Sequence, residues 1–295
     1  MCARPFPHCR REACRRETEN RLQIGVRTLC GLPLQRPAVG QDPLAQGRHR
    51  RATSTWAALT RVHEWPLELG GNDPAIVLDD VDPNAVVDGL FWGAFTNSGQ
   101  VCTAIKRLYV HEKVYAPIVD GLVERAKAAK VGDGLDAATQ LGPINNKMQF
   151  DKVVALVDDA KQHGGRIAAG GAALDRPGYF YPPTIVTGVG AGVRLVDGEQ
   201  FGPALPIIAY RNVDDVIEEA NRTHYGLGGS VWTSNLERGE QLVQQLESGT
   251  GWVNQHMDIT PFAPFGGCKW SGLGYENGKW GYEEFTELQV VNTKK

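Results

Sequence analysis

The sequence contains no run of eighteen apolar residues, so no transmembrane helix is expected. Its first twenty residues carry arginines but no apolar stretch, so no secretory signal is read there. Cysteine is sparse, six in 295 residues, which excludes a disulfide scaffold. No HExxH, P-loop, GxSxG or paired CxxC pattern occurs. The motifs for a zinc protease, a phosphate-cradling loop, a hydrolase elbow and a zinc ribbon are therefore missing, and no metal site is expected. A net charge of −3 gives no reason to expect nucleic acid or a membrane as partner. These exclusions leave a soluble, globular chain, expected in the cytoplasm.

Lysine is absent from residues 1–65, which hold twelve arginines against five carboxylates, a net +7. Residues 66–295 carry eight arginines, eleven lysines and twenty-nine carboxylates, a net −10. Four cysteines (Cys2, Cys9, Cys14, Cys30) also fall in the first stretch. The composition therefore breaks near Trp65–Pro66. Leu22, Ile24 and Val26 alternate briefly before Pro33, Pro37 and Pro43 interrupt the chain. Residues 1–65 are read as an irregular Arg-rich segment, disordered or out of frame.

Beyond the break, helix and strand patterns alternate. Asp82-Pro83 opens a helix, Val86, Leu90, Phe91 and Phe95 continue its apolar face, and Asn97-Ser98-Gly99 ends it. Leu108–Val110 reads as a strand. Tyr115, Ile118, Val119, Leu122, Val123 and Ala126 form an amphipathic helix, repeated over 148–160. Strands are expected at 166–169, 205–210, 229–233 and 251–254, helices at 213–220 and 236–246, and a last extended stretch at 285–291. Such alternation predicts an α/β layered, mostly parallel sheet.

Three places could carry chemistry. In Pro66-Leu67-Glu68-Leu69-Gly70-Gly71, a carboxylate precedes a Gly-Gly turn, a placement open to a general base or to an ordinary edge-strand Glu. In Asn97-Ser98-Gly99-Gln100-Val101-Cys102-Thr103, a cysteine follows a helix break, where free backbone N–H groups could meet an oxyanion. Lys106 and Arg107 nearby would favour a reactive thiol; a buried structural cysteine is the alternative. In Glu199-Gln200-Phe201-Gly202-Pro203, a carboxylate and an aromatic ring flank a rigid turn that could hold a ribose and a flat ring. The clusters Gly188-Val-Gly190-Ala-Gly192 and Gly226-Leu-Gly228-Gly229 do not match the dinucleotide fingerprint GxGxxG and read as turns.

Taken in order, LELGG, Cys102 thirty-four residues after Glu68, EQFGP, and PFGG followed by SGLG resemble the NAD(P)-dependent aldehyde dehydrogenase superfamily. The resemblance runs from about Pro66 to Val291. It implies a catalytic domain over 66–265, a C-terminal return and oligomerisation strand over 266–295, and an incomplete Rossmann-like coenzyme domain. It implies Cys102 as nucleophile, Glu68 as general base, Glu199 and Phe201 at the nicotinamide ribose and ring, and Phe265 along the substrate tunnel, with the loop around His256, Asp258 and Phe262 shaping it. It implies an aldehyde substrate, NAD or NADP as cofactor, and a homodimer or tetramer. None of the family's upstream coenzyme motifs is recognisable in residues 1–65, so a truncated chain with compromised cofactor binding and impaired activity is expected. A non-catalytic fragment that pairs with a partner through its last strand, and a residual esterase, are the other readings.

Overall fold

The computed structural model describes the strand Gln23–Thr28 and residues 66–294; the remaining readings of residues 1–65 lie outside the described residues. In chain order the strands and helices are β1 (Gln23–Thr28), β2 (Leu67–Glu68), β3 (Asp73–Val77), α1 (Pro83–Phe95), β4 (Ile105–His111) and α2 (Tyr115–Ala128). There follow α3 (Lys147–Gln162), β5 (Arg166–Ala169), β6 (Thr184–Thr187), α4 (Arg194–Asp197), β7 (Ala204–Tyr210) and α5 (Val213–Asn221). The last are β8 (Gly228–Trp232), α6 (Leu236–Val243), β9 (Thr250–Val253), β10 (Gly272–Leu273), α7 (Gly278–Glu283) and β11 (Thr286–Val291).

Residues Glu68–Ile259 and Gly266–Leu273 form one unit. Its centre is a seven-stranded sheet of order β5-β6-β7-β4-β3-β8-β9. Every neighbouring pair is parallel except β5 with β6, which adds an antiparallel edge. Side chains alternate across β3, and both faces are dry. Ala75 and Val77 pack with Leu90, Phe91 and Phe95 of α1 and Ile118 and Leu122 of α2. Ile76 and Leu78 pack on the opposite face with Val216 and Ile217 of α5 and Leu242. A strand covered on both sides is what a parallel, crossover-linked sheet requires. The expected mostly parallel α/β architecture is thus the observed one.

Local chemistry sets the helix starts. Asp82 accepts the Asn84 N–H at 3.0 Å and Pro83 occupies the first turn. Asn146, Asn212 and Asn235 cap α3, α5 and α6 through their side-chain oxygens. Two strands of the seven-stranded sheet were not legible in the sequence. Central β3 begins Asp73-Pro74, which reads as a turn; the register with β4 shifts between those two residues, and the irregularity accommodates the proline. β6 follows Pro182-Pro183 and is only four residues long.

The other unit gathers, among the described residues, 23–28, 66–67, Thr260–Phe265 and 274–294. In it β1 pairs antiparallel with β11, from Gln23 opposite Val291 to Thr28 opposite Thr286. The brief alternation at Leu22, Ile24 and Val26 therefore coincides with a strand. No helix among the described residues is long and apolar enough to cross a membrane.

Candidate active site

Glu68, Cys102 and Glu199 all lie just before a sheet strand starts: β3, β4 and β7 respectively. Adjacent strands β7-β4-β3 thus bring three separate sequence motifs to one end of the sheet. That end is the amino end, whereas ligands of open α/β sheets usually bind beyond the carboxyl ends. The Gly70-Gly71 turn knits the three together. The Gly70 N–H donates to Glu68 Oε1 and the Gly71 N–H to Glu199 Oε1, each at 3.2 Å. A Cβ on Gly71 would stand 2.9 Å from the Cys102 carbonyl oxygen and 2.5 Å from Asp73 Oδ1, so the approach is open to glycine alone.

The segment leading to Cys102 is wound left-handed. Asn97, Ser98 and Gly99 have φ of 53°, 56° and 70°. Two consecutive non-glycine residues in this region are costly. Ser98 Oγ donates to the Gly142 carbonyl at 2.8 Å, and Asn97 Nδ2 donates to the Gln100 carbonyl at 3.1 Å. Gly99 backs directly onto the Gly202 carbonyl, where no side chain fits. The winding couples the cysteine segment to the turn that carries Phe201, itself at φ 46°.

Cys102 is half-buried and unpaired with any other sulfur. Burial pushes its thiol up to about 11, and the Glu68 charge pushes the same way. Lys106 and the Thr103 N–H pull it down by less. Glu68 and Cys102 therefore share one electrostatic neighbourhood. Glu68 itself is exposed, not enclosed by its flanking leucines. One of its oxygens takes the Gly70 N–H.

Beneath the thiol lies a charged cluster that sequence reasoning saw only in part. Lys106 is 1% exposed. Its Nζ donates to the Val101 carbonyl at 2.8 Å and the Cys102 carbonyl at 2.5 Å, and stands 3.8 Å from Glu199 Oε1. Burial lowers the Lys106 pKa against the pull of Asp73 and Glu199. Burial raises the Glu199 carboxyl against the pull of Lys106 and Gly71. Asp73 is wholly buried, and burial lifts its carboxyl to about 7 despite Lys106 acting on it through space. The Gly228 N–H lies close enough to lower that value but makes no hydrogen bond of good geometry, so neither Asp73 oxygen has a hydrogen-bond partner, and His256 Nε2 stands 3.9 Å from Oδ2. Arg107 points elsewhere. Its guanidinium clamps the Asn72 and Ala220 carbonyls at 2.8 and 3.1 Å, so of the two basic residues expected to favour the thiol only Lys106 acts on it. Asp73 escaped notice inside GGNDP because an Asn-Asp-Pro run looks like a turn.

His256 is also buried. Its Nε2 lies 2.7 Å from the Thr103 carbonyl and its Nδ1 2.9 Å from Ser230 Oγ. The Thr103 carbonyl can only accept, so the ring proton sits on Nε2; Nδ1 then accepts the Ser230 hydroxyl proton, while Ser230 Oγ accepts the Trp232 Nε1–H at 3.0 Å. Burial holds the imidazole neutral, with its pKa down at about 3.

The expectation that the helix break frees N–H groups needs a correction. A helix C-terminus leaves carbonyls, not N–H groups, unsatisfied. The free N–H groups belong instead to the tight turn Val101–Ala104, closed by the Ala104 N–H on the Val101 carbonyl at 3.2 Å.

Glu199 Oε1 takes the Gly71 N–H, while Oε2 accepts no hydrogen bond among the described residues. The neighbouring Phe201 ring is half-buried and lines a hollow of about 590 Å³ with Asn97, Gln100, Tyr179 and Phe180. Gln149 Nε2 fixes this turn by donating to the Gln200 and Phe201 carbonyls at 2.7 and 2.8 Å. A carboxylate oxygen without a hydrogen-bond partner among the described residues suits a diol, and an aromatic ring on the same turn suits a flat ring, so these residue types are compatible with the ribose–nicotinamide end of a dinucleotide. Phe265 belongs to the other unit, where it is buried and bridges Glu276 through reciprocal main-chain bonds of 2.7 and 2.6 Å.

Comparison with known proteins places the chain in a wider group. The model of the aldehyde dehydrogenase family matches residues 48–291. Retinaldehyde dehydrogenase 3 of Rattus norvegicus is 42% identical over 228 residues, 77% of this chain and 44% of that protein. The chloroplastic betaine aldehyde dehydrogenase of Beta vulgaris is 39% identical over 229 residues, 77% of this chain and 46% of that protein. An aldehyde dehydrogenase from Bacillus cereus, solved as an NAD+ complex, superimposes with a TM-score of 0.80 at 36% identity, covering 82% of this chain and 49% of that one. The chain spans about half the length of the curated relatives it matches.

Proposed function

Because the chain belongs to the aldehyde dehydrogenase family, we propose that it carries the acyl-transfer half of an aldehyde oxidation. Cys102 is the nucleophile. Its thiolate attacks the aldehyde carbon and forms a thiohemiacetal, whose oxyanion meets the Cys102 N–H. Glu199 and Phe201 would hold the ribose and nicotinamide of NAD or NADP. When bound, that cofactor supplies the acceptor for the hydride leaving the thiohemiacetal carbon. Glu68 then takes a proton from the water that attacks the Cys102 thioester, which releases the acid and regenerates the thiol. Its exposed carboxylate, tethered on one oxygen by the Gly70 N–H, keeps the other for that water. Phe265 would line the path of the aldehyde. Exposed Leu288, Val290 and Val291 on β11 favour assembly into a homo-oligomer.

The observation that carries this reading is the meeting of Glu68, Cys102 and Glu199 at the starts of adjacent strands. The test uses the full chain and 4-nitrophenyl acetate, which acylates a nucleophile without any redox step. Cys102→Ala is expected to abolish the burst of nitrophenolate. Glu68→Gln is expected to keep the burst and slow the turnover that follows. A burst that survives Cys102→Ala would overturn the assignment. Nucleotide titration followed by tryptophan fluorescence measures in parallel how much of the cofactor site this chain retains.

A further inference from the structure

We propose that Lys106 is a positioning residue that builds the anion pocket of Cys102 by turning two peptide groups. The inference rests on the reading of Cys102 as nucleophile. A trans peptide is planar, so its C=O and N–H point in opposite directions. Lys106 Nζ draws the Val101 carbonyl inward at 2.8 Å and the Cys102 carbonyl at 2.5 Å. The opposite ends of those same two peptides are the N–H groups of Cys102 and Thr103. Neither donates to an oxygen among the described residues, and the Thr103 N–H is turned toward the Cys102 sulfur. The carbonyl of the next peptide is drawn in as well, by His256 Nε2 on Thr103 at 2.7 Å.

Successive carbonyls thus face a buried ammonium and a buried imidazole, which leaves two adjacent N–H groups aimed the other way. The ammonium also polarises both peptides, making their N–H groups better donors. Lys106 touches neither substrate nor thiol; it acts through the main chain. Its Nζ also stands 3.8 Å from Glu199 Oε1, so the same ammonium ties the turn to the carboxylate assigned to the ribose.

Two reactions at the same sulfur separate this role from a general structural one. Iodoacetamide alkylates by direct displacement at carbon and forms no oxyanion. 4-Nitrophenyl acetate passes through a tetrahedral oxyanion. Both need the thiolate, so the ratio of the two rate constants cancels any change in thiol ionisation. Measured on the full chain, with Cys102 modification followed by peptide mass spectrometry, Lys106→Met is expected to lower the acylation-to-alkylation ratio at least about tenfold, toward the loss seen on removing one oxyanion donor. Lys106→Met leaves a buried carboxyl unbalanced and can fail to fold. The double variant Lys106→Met/Asp73→Asn removes that charge too, and the same drop is expected in it. A ratio within twofold of the unmodified chain, or both rates falling in parallel, would overturn the proposal. If Cys102 of the unmodified chain reacts with neither reagent, the nucleophile assignment fails first and this inference with it.

Discussion

The Cys102 thiol should be a slow nucleophile in this chain, and its pH profile should show why. Burial first, and the Glu68 charge second, raise it from an ordinary 9.0 to about 11. Below pH 9 the thiolate fraction is then about 100-fold smaller than for an open cysteine, since each pKa unit is a factor of ten. Part of this is returned, because a more basic thiolate attacks faster; a Brønsted slope of about 0.4–0.5 gives back roughly six- to tenfold over two units. Ionisation wins, and alkylation at pH 8 should run about tenfold slower than at a solvent-exposed thiol. Iodoacetamide rates at the Cys102 peptide, followed from pH 7 to 11.5, should rise through the whole range without a plateau. Glu68→Gln should shift the curve toward lower pH, because it removes a charge that opposes the thiolate. A plateau below pH 9.5, or a curve that Glu68→Gln leaves in place, would refute the electrostatic account.

Asp73, lifted by burial from 3.8 to about 7, keeps its proton on folding at pH values where the unfolded chain has lost it. Its contribution to stability is therefore complete below about pH 4 and is lost as pH rises toward 7, by at most about 4 kcal/mol. Urea unfolding at pH 5 and 7.5 should show Asp73→Asn gaining on the unmodified chain at the higher pH; an equal difference at both would contradict this. Gly71→Ala would press a Cβ to 2.5 Å from Asp73 Oδ1 and 2.9 Å from the Cys102 carbonyl. It should cost about 1–3 kcal/mol in unfolding free energy and also depress the acylation burst; unchanged values would show that the turn yields. His256→Leu should destabilise by about 1–3 kcal/mol, because it strips the Thr103 carbonyl and Ser230 of partners inside a dry core. An unchanged melting profile for His256→Leu would mean that water replaces the imidazole.

What the sequence disclosed follows from how far each signal reaches along the chain. Helices α1, α2 and α3 were legible because periodic apolar residues and short polar caps are local features. Strand β3, the centre of the sheet, was not, because Asn72-Asp73-Pro74 carries turn chemistry that only the tertiary register with β4 overrides. Cys102 and the carboxylates Glu68 and Glu199 stood out as motifs. Their common neighbourhood depends on β7, β4 and β3 being adjacent, which no local pattern encodes. The supporting layer was the least visible. Lys106 and Arg107 read alike, as two cations beside a thiol, yet both are buried and serve different carbonyls. His256 sits 153 residues from the carbonyl it holds.

One consequence of building at the starts of the strands concerns the sign of the local field. Cys102 follows the carboxyl end of helix α1 in the chain, the end at which a helix dipole is negative, roughly half an elementary unit. A doubly wound protein that works at the far edge of its sheet receives the opposite gift, a helix start ready-made for anions. The Cys102 segment comes after a last helical turn and has no such start of its own. It has instead the buried Lys106 ammonium on its Val101 and Cys102 carbonyls, so under the proposed reading one side chain takes the place that a helix terminus fills elsewhere.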